Sequence, residues 1–283
     1  MKGNMKMKIS SVTVLYNFNE DVIKNLKTYE KFVDEVILID NSDEKKYYEK
    51  YKEDINKYTY ISMNGNVGIA KALNEGIKYS KEKGYEWVLT MDQDTCLTTN
   101  IIYEYKNIIN QKKDNKIVIL SPMYIFDRRK TKKNQKIKEI EYVMQSANLL
   151  NIKKFLDIGK FKEEFFIDVV DYEFCLRARK KKYKIISCGN IKVIHNPGIT
   201  KKTKFLNIKY GYCNKFRIYY QARNLLWTAR KYKNIKMLAI LFYKLIKIIL
   251  FFDNKKQFLY YYFKGIKDCK QNKWGVVKIN EQI

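Results

Sequence analysis

The first third of the chain alternates strand-like and helix-like segments, and this alternation restricts the fold more than any other feature of the sequence. Short apolar runs indicate the strands, and apolar residues at helical spacing indicate the helices. The predicted strands cover 11–16, 36–39, 58–63 and 87–91, and the predicted helices cover 21–32, 45–52 and 69–84. The pattern predicts an α/β fold with a mostly parallel central sheet flanked by helices.

Polar residues follow each of these strands, at the end where α/β proteins bind their ligands. They are Asn17, the pair Asp40 and Asn41, the turn 64–68 and the triplet 92–94. Such clusters along one edge of a sheet predict a site of nucleotide size. The sequence contains neither a GxGxxG nor a GxxxxGK[ST] phosphate loop, so phosphate charge must be neutralised in another way. Asp92 and Asp94 suit Mg²⁺ or Mn²⁺, either of which would bridge the oxygens of a diphosphate.

A second acidic cluster contains Asp168, Asp171 and Glu173. At a strand-to-helix junction, one of these carboxylates would face the cleft as a base while the others pair with arginines. Glu173 lies four residues before Arg177, which is the spacing of a helical ion pair. The alternative is a salt-bridged helix cap. His195, the only histidine, ends an apolar strand and is either structural or a ligand of the same site.

The chain carries 57 basic and 30 acidic residues, an excess that indicates a polyanionic partner such as nucleic acid, an anionic membrane or a phosphorylated substrate. The excess is uneven. Residues 1–198 hold 37 basic and 27 acidic residues, whereas residues 199–283 hold 20 and 3. We therefore expect two regions with different surroundings, the second of them basic, aromatic and helical.

The apolar segment Ile235–Phe252 has Lys236, Lys244 and Lys247 as its only basic residues. At about 100° per residue these lysines fall on one narrow helical face. The longest uncharged run, Met237–Tyr243, is too short to span a bilayer, which needs about 20 apolar residues. We expect a helix in the interface of an anionic membrane, with its lysines reaching the head groups. The alternative is a helix that packs in the protein core.

Five cysteines at irregular spacings form no CxxC pair, which predicts reduced thiols and neither a zinc site nor a disulfide framework. The first residues are basic and then turn into a strand without the apolar core of a signal peptide. We therefore expect a cytoplasmic location, peripheral on the inner face of the cell membrane.

Seven sequence blocks, in order, resemble a known family: TVLYNFN, LIDNSD, NGNVGIAKALNEGI, LTMDQDT, SANLL, FFIDVVDYEFCLRARKKKY and VIHNPG. They are similar to the family 2 inverting glycosyltransferases with a GT-A fold, and most similar to the rhamnosyltransferase-like branch. The resemblance covers about residues 9–198 and implies a catalytic domain over 1–198, with a nucleotide-binding half at 9–95 and an acceptor half at 96–198. Residues 199–283 would form the helical extension that associates with the membrane.

The resemblance also implies roles for individual residues. Asp171 matches the catalytic base, and Asp168 and Glu173 are neighbours without an implied role. Asp92, Asp94 and His195 match the metal-binding positions. The positions implied to contact the nucleotide sugar are Tyr16, Asn17, Asp40, Asn41, Asn66, Gly68, Asn74 and Asp92. One departure is Ala147, where the family usually has glycine, and this predicts a narrower acceptor pocket.

The sequence thus predicts a metal-dependent inverting glycosyltransferase of cell-envelope polysaccharide biosynthesis. Its donor would be a nucleoside-diphosphate sugar, with dTDP-rhamnose as first choice, and its acceptor a lipid-linked saccharide or polysaccharide. A basic RNA-binding protein is an alternative, but it would interleave aromatic and basic residues on an exposed sheet, whereas these strands are buried in character. A sugar nucleotidyltransferase is the second alternative, but such an enzyme would normally carry a glycine-rich basic loop near its N-terminus. We expect no nucleic-acid partner.

Overall fold

A computed structural model describes residues 7–127, 136–195, 198–203 and 209–277. The strands are β1 (Ile9–Leu15), β2 (Glu35–Asp40), β3 (Thr59–Ser62), β4 (Trp87–Asp92), β5 (Ile117–Ile125), β6 (Lys138–Glu139), β7 (Asn148–Asn151), β8 (Lys184–Ile194), β9 (Ile199–Lys202) and β10 (Lys209–Tyr212). The helices are α1 (Glu20–Lys27), α2 (Lys46–Ile55), α3 (Ile69–Glu82), α4 (Ile101–Lys112), α5 (Ile152–Ile158), α6 (Val170–Lys180), α7 (Lys215–Tyr232), α8 (Ile235–Phe251) and α9 (Lys255–Lys270).

The described strands form one large mixed sheet in the order β3-β2-β1-β4-β7-β5-β8-β6. Strands β3, β2, β1 and β4 are mutually parallel, as are β5 and β8, whereas β7 runs antiparallel between β4 and β5. The predicted mostly parallel sheet is confirmed. Because β1, β2 and β4 are parallel, the polar residues that follow them lie at one edge of the sheet.

Helices cover both faces of this sheet because side chains alternate along each strand. On β1, Val12 and Val14 belong to one apolar cluster with residues of α3, α6 and α7. Ile9 and Leu15 belong to a second cluster with residues of α1 and α4. The sheet therefore has a core on each side, as the continuous apolar strands of a doubly covered sheet require.

Several predicted boundaries differ from the structure. The helix predicted over 21–32 is α1 followed by a short 3₁₀ turn at Glu30–Phe32, and the strand-like run 142–150 becomes a strand only at β7. The two strands predicted at 185–187 and 191–195 are one strand, β8, which stays paired with β5 across a register shift at Pro122 and Met123. A basic loop is predicted over 128–138. Its residues 128–135 lie outside the described residues, and β6 begins at Lys138.

The tail is helical as predicted, and it also contains the antiparallel hairpin of β9 and β10 that the sequence pattern did not show. Helix α9 packs closely on α7 because Gly265 brings the backbones together: a Cβ atom at Gly265 would lie 2.4 Å from the carbonyl oxygen of Tyr219. Within the described ranges, no helix combines the length and apolar character needed to cross a bilayer.

The orientation of α8 corrects one prediction. Its lysines do not reach outwards together: Lys247 is 6% exposed and its Nζ donates to the carbonyl oxygen of Gly211, and Lys236 pairs with Glu141. The exposed face is apolar instead. Its large exposed side chains are Ile235, Leu238, Phe242, Tyr243, Ile246, Ile249 and Leu250. A helical wheel shows which residues share a face, but which face points towards the protein interior depends on the tertiary packing.

Candidate active site

Asp92 at the end of β4, Asp94 just after it and the histidine that follows β8 meet at one point. Asp92 Oδ2 lies 3.6 Å from His195 Nε2, and Asp94 Oδ1 lies 3.6 Å from His195 Nδ1. One ligand atom from each of the three side chains lies within 4.8 Å of the others. Because β8 pairs in parallel with β5 and reaches the same edge as β4, Thr95 and His195 converge there although they are 100 positions apart.

The histidine ring is held by hydroxyl groups. His195 is 3% exposed, and its Nδ1 lies 3.1 Å from Thr95 Oγ1. Thr95 Oγ1 in turn lies 2.6 Å from Ser146 Oγ, which accepts a hydrogen bond of 3.1 Å from the backbone amide of Asp92. This chain of hydroxyl groups fixes the ring relative to β4, as outer partners commonly do for histidines that bind metals.

The electrostatics of the cluster favour a cation. Burial, and then the charges of Asp94 and Asp171, raise the pKa of Asp92 to about 7, whereas the charge of Arg217 opposes this shift. Like charges held together in a half-buried site repel one another, and a divalent ion between them relieves the repulsion. Two carboxylate oxygens and an imidazole nitrogen form a donor set that suits Mn²⁺ and accommodates Mg²⁺. The residues present therefore fit the predicted metal.

Asp171 lies in the first turn of α6, near enough to Asp92 for their charges to interact. Its Oδ1 accepts a hydrogen bond of 2.9 Å from the backbone amide of Tyr172. Burial raises the pKa of Asp171 to about 7, and the charge of Asp168 acts in the same direction. A carboxylate with a pKa near neutrality is well matched to take up a proton at physiological pH.

The two acidic neighbours of Asp171 have different surroundings. Both oxygens of Asp168 receive hydrogen bonds from Arg217, at 3.0 and 2.7 Å. Glu173 is fully buried and pairs with Arg177 at 2.9 Å, as its spacing predicted. Arginine thus occupies the carboxylates of Asp168 and Glu173, whereas burial raises the pKa of Asp171 to about 7.

The predicted nucleotide-binding residues form a linked set at the ends of β2 and β3. The Nδ2 of Asn41 donates to Asn66 Oδ1 at 3.0 Å, and Asn66 Oδ1 also accepts from the Gly68 amide at 3.1 Å. Gly68 has a φ of 86°, a conformation that favours glycine. Asp40, which is 4% exposed, accepts from the Ser42 amide at 2.9 Å. These bonds fix the two loops against each other.

Tyr16 and Asn17 complete this edge after β1. Tyr16 is 41% exposed, and its hydroxyl donates to Asp43 Oδ2 at 2.9 Å. Asn17 has a φ of 46°, and its amide donates to Ser42 Oγ at 2.8 Å. The open face of Tyr16 leaves an aromatic surface at the mouth of the site, on which a nucleotide base can stack.

Asn74 and Ala147 lie deeper than the sequence suggested. Asn74 is buried on α3, and its amide group bonds to both the backbone amide and the carbonyl of Phe161, each at 3.0 Å. This ties α3 to the segment before α6. Ala147 is fully buried in the second apolar cluster with a φ of 57°. Its methyl group packs in the core, so it does not narrow an open acceptor pocket.

Sequence reasoning missed Gln93 and Arg217. Gln93, the middle residue of the triplet, accepts from the Tyr16 amide at 2.7 Å and donates to the Tyr16 carbonyl at 3.1 Å. Gln93 therefore connects the loop of Asp92 and Asp94 to Tyr16. Its place between the two aspartates was the only sequence feature that could have indicated this role. Arg217 comes from α7, far along the chain, and no local pattern marks it.

Comparisons with known proteins identify the family of the chain. Residues 13–170 match the model of glycosyl transferase family 2. The dTDP-rhamnosyl transferase RfbF of Shigella flexneri is 31% identical over 250 residues, which cover 80% of this chain and 81% of that protein.

Solved structures show the same architecture. S. aureus TarS 1-349 in complex with UDP-GlcNAc aligns with a TM-score of 0.60 and 15% identity over 94% of this chain and 81% of that chain. GalNAc-T7 with UDP, GalNAc and Mn²⁺ also gives a TM-score of 0.60, at 12% identity over 94% of this chain and 57% of that chain. At such identities the likeness shows the fold, which is the GT-A fold predicted from the sequence. The chain belongs to glycosyl transferase family 2, and within it is similar to the rhamnosyltransferases.

Proposed function

We propose that this protein is a metal-dependent inverting glycosyltransferase, with dTDP-rhamnose as its first-choice donor and a lipid-linked saccharide or polysaccharide as acceptor. The convergence of Asp92, Asp94 and His195 beside Asp171 carries this proposal. It supports a site with two parts, one suited to a diphosphate and the other to a hydroxyl group. The likeness to a dTDP-rhamnosyl transferase supports the choice of sugar.

The donor would lie along the edge of the sheet. Asp40 and Asn41 would face its base and ribose, Tyr16 would stack on the base, and the turn with Asn66 and Gly68 would flank the nucleotide. Asp92, Asp94 and His195 would hold Mg²⁺ or Mn²⁺, which supplies positive charge to the leaving diphosphate. The loops are already bonded to one another, so little ordering is needed when the donor binds.

Asp171 would act as the general base. It takes the proton of the acceptor hydroxyl while that oxygen forms a bond to the anomeric carbon, on the face opposite the diphosphate. The bond from the anomeric carbon to the diphosphate oxygen breaks in the same step, so the configuration inverts without a covalent enzyme intermediate. A base with a pKa of about 7 can be ionised at neutral pH and still bind the proton it removes.

Titration calorimetry with a panel of nucleoside-diphosphate sugars, in Mn²⁺ and in chelator, tests the donor site. We expect dTDP-rhamnose to bind only with the metal, and Asp92→Asn and Asp94→Asn to weaken binding by about 10- to 100-fold because each removes a ligand charge. Glu53→Gln, which removes an exposed carboxylate on α2, is the matched control for a lost surface charge and should bind the donor like the wild type. Donor affinity that is unchanged in both Asp92→Asn and Asp94→Asn would overturn the metal assignment.

We also propose that the protein works on the cytoplasmic face of the cell membrane, with the exposed apolar face of α8 against lipid. Phe242 is 64% exposed and Leu250 is 60% exposed, on a helix that carries no acidic residue. Residues 199–283 carry 20 basic and 3 acidic residues, which complements an anionic surface. A lipid-linked acceptor would be presented at such a surface.

Co-sedimentation with phosphatidylglycerol and with phosphatidylcholine vesicles tests this location. We expect binding to the anionic vesicles that weakens at high salt, and a clear loss in the double variant Phe242→Ser, Ile246→Ser. Tyr103→Ser, at a residue that is 60% exposed on α4, is the control and should sediment like the wild type. Equal recovery with neutral vesicles, or a solution dimer that this double variant dissociates, would contradict the membrane assignment.

A further inference from the structure

The loop that precedes α6, Glu164–Val169, has an unusual backbone. Phe166, Asp168 and Val169 have φ values of 65°, 63° and 67°, in the region that favours glycine. For a β-branched residue such as Val169 this conformation is a genuine outlier. Backbone of this kind persists only where the surrounding structure holds it, and it clusters at functional sites. The loop leads directly into the first turn of α6, which contains Asp171.

Helix α7 holds the carbonyl groups of this loop. The side-chain amide of Asn224, which is fully buried, donates to the carbonyl oxygens of Phe165, Ile167 and Asp168 at 3.0, 2.9 and 2.9 Å. The neighbouring guanidinium of Arg223 donates to the carbonyl of Glu164 at 2.9 Å. A left-handed backbone cannot bond these carbonyls within a helix or a sheet, and the α7 side chains replace those bonds.

The same helix holds the side chain of the loop aspartate. Arg217 donates to both oxygens of Asp168, and Gln221 Nε2 lies 3.3 Å from Asp168 Oδ1. A two-point arginine–carboxylate pair fixes orientation as well as distance. The charge of Asp168 strongly raises the pKa of Arg217, as expected for a close pair.

On its other side the loop lies against the predicted nucleotide turn. A Cβ atom at Gly68 would lie 2.7 Å from the carbonyl oxygen of Phe166, so only glycine permits this approach. The Ala70 amide donates to the same carbonyl at 3.4 Å. The ring of Phe166 stacks on Tyr220 of α7 at a centroid distance of 5.1 Å. The loop thus fills the space between α7 and the nucleotide turn.

We infer that Arg217 and Asn224 are positioning residues, which hold the strained loop 164–169 and thereby place Asp171 relative to the donor. This inference rests on the proposed function of Asp171. It extends the active site to a helix that lies beyond residues 13–170, the segment that matches the family model. It also gives the basic tail a role in catalysis that is separate from any contact with membrane.

Steady-state kinetics of Arg217→Met and Asn224→Leu test the inference. Because a displacement of about 1 Å can lower a rate by about 10²-fold, we expect kcat to fall by about that factor in each variant. The KM for the donor should change much less than kcat, because the bonds of Asn66 Oδ1 to Asn41 and to the Gly68 amide do not involve Arg217 or Asn224. Arg217→Lys should recover part of kcat, because it can still bond one oxygen of Asp168.

Arg230→Met is the matched control, since Arg230 lies exposed at the other end of α7 and should keep the wild-type kcat. Hydrogen exchange of the amides of 164–171 gives a readout that needs no substrate, and we expect faster exchange in Arg217→Met. Arg217 is partly exposed, so this variant should fold even if Asn224→Leu does not. A wild-type kcat or unchanged loop exchange in folded Arg217→Met would overturn the inference. If the wild-type protein transfers no sugar, the proposed function fails, while the exchange data still decide whether α7 holds the loop.

Discussion

The carboxylates at the edge of the sheet and those held by the helices α6 and α7 have opposite surroundings. In the cleft, burial raises the pKa values of Asp92 and Asp171 to about 7, and neighbouring carboxylate charges act in the same direction. On the helical side, Asp168 and Glu173 each receive two hydrogen bonds from an arginine. The protein therefore neutralises the carboxylates that hold its backbone in place. Under the proposed function, the carboxylates of the cleft would be neutralised by a metal and by the proton of the acceptor.

This contrast exists even within one helix. Asp171 and Glu173 are two residues apart on α6, which places them about 200° apart around its axis. Asp171 faces the cleft, whereas Glu173 is fully buried between Arg177 and Tyr232. Sequence proximity in an acidic cluster thus says little about shared function, and substitutions that separate these carboxylates can test the division.

The largest effect should come from Asp171→Asn. Asparagine keeps the shape of the side chain but cannot take up the proton of the acceptor, so kcat should fall by about 10²–10⁴-fold. Donor affinity in the presence of Mn²⁺ should stay near the wild-type value, because the proposed donor contacts come from the sheet-edge loops and the metal ligands and not from Asp171. Steady-state transfer assays and calorimetry measure the two quantities separately.

Asp168→Asn is the comparison for this variant. It weakens the pair with Arg217 but leaves the base in place, so its activity should lie between that of Asp171→Asn and the wild type. If Asp168→Asn is the inactive variant and Asp171→Asn retains most activity, the assignment of the two regions is reversed.

The pH dependence of stability should show the second largest effect. The pKa of Asp171 rises from 3.8 to about 7 on folding, so the folded protein binds this proton more tightly than the unfolded chain. The resulting stability is fully present below pH 3.8 and is lost as the pH rises through 7. At pH 8 the ionised carboxylate destabilises the metal-free fold, and Asp171→Asn should raise Tm by about 3–6 °C.

The gain in Tm of Asp171→Asn over the wild type should shrink steadily as the pH falls from 7 to 5. Calorimetric melts in the presence of chelator measure this difference. Glu53→Gln, at an exposed carboxylate on α2, is the control and should melt with the wild type at each pH. A gain for Asp171→Asn that does not vary with pH would show that the charge of Asp171 is already balanced in the fold.

The sheet-edge region was largely predictable from the sequence, for a general reason. Parallel strands bring their carboxyl ends to one edge, so polar residues after apolar runs converge whatever lies between them. That rule placed Asp40, Asn41, Asp92 and Asp94 at one edge. The likeness to the family then added His195 and Asp171 to the same site.

The helical region was not predictable in the same way. The pair of Arg217 and Asp168 joins positions 49 residues apart without any periodic pattern. The inward turn of Lys247 depends on the carbonyl of Gly211, which belongs to a hairpin that the sequence did not show. Contacts of this kind depend on how the formed helices and strands pack against one another. Neither composition nor periodicity carries information about that packing.

The smallest effect should come from Tyr232→Phe, which removes one partner of a structural carboxylate. The hydroxyl of Tyr232 donates to Glu173 Oε1 at 2.6 Å, while Arg177 remains bonded to the same carboxylate. Loss of a hydrogen bond to a charged, buried group costs about 1–2 kcal/mol, which corresponds to a fall in Tm of about 2–4 °C. Because Glu173 points away from Asp171, kcat and donor affinity should be unchanged. Tyr243→Phe, at a residue that is 54% exposed on α8, should alter neither stability nor rate. A fall in kcat for Tyr232→Phe with an unchanged Tm would place Glu173 among the reacting groups, and the separation of the two sets of carboxylates would then be wrong.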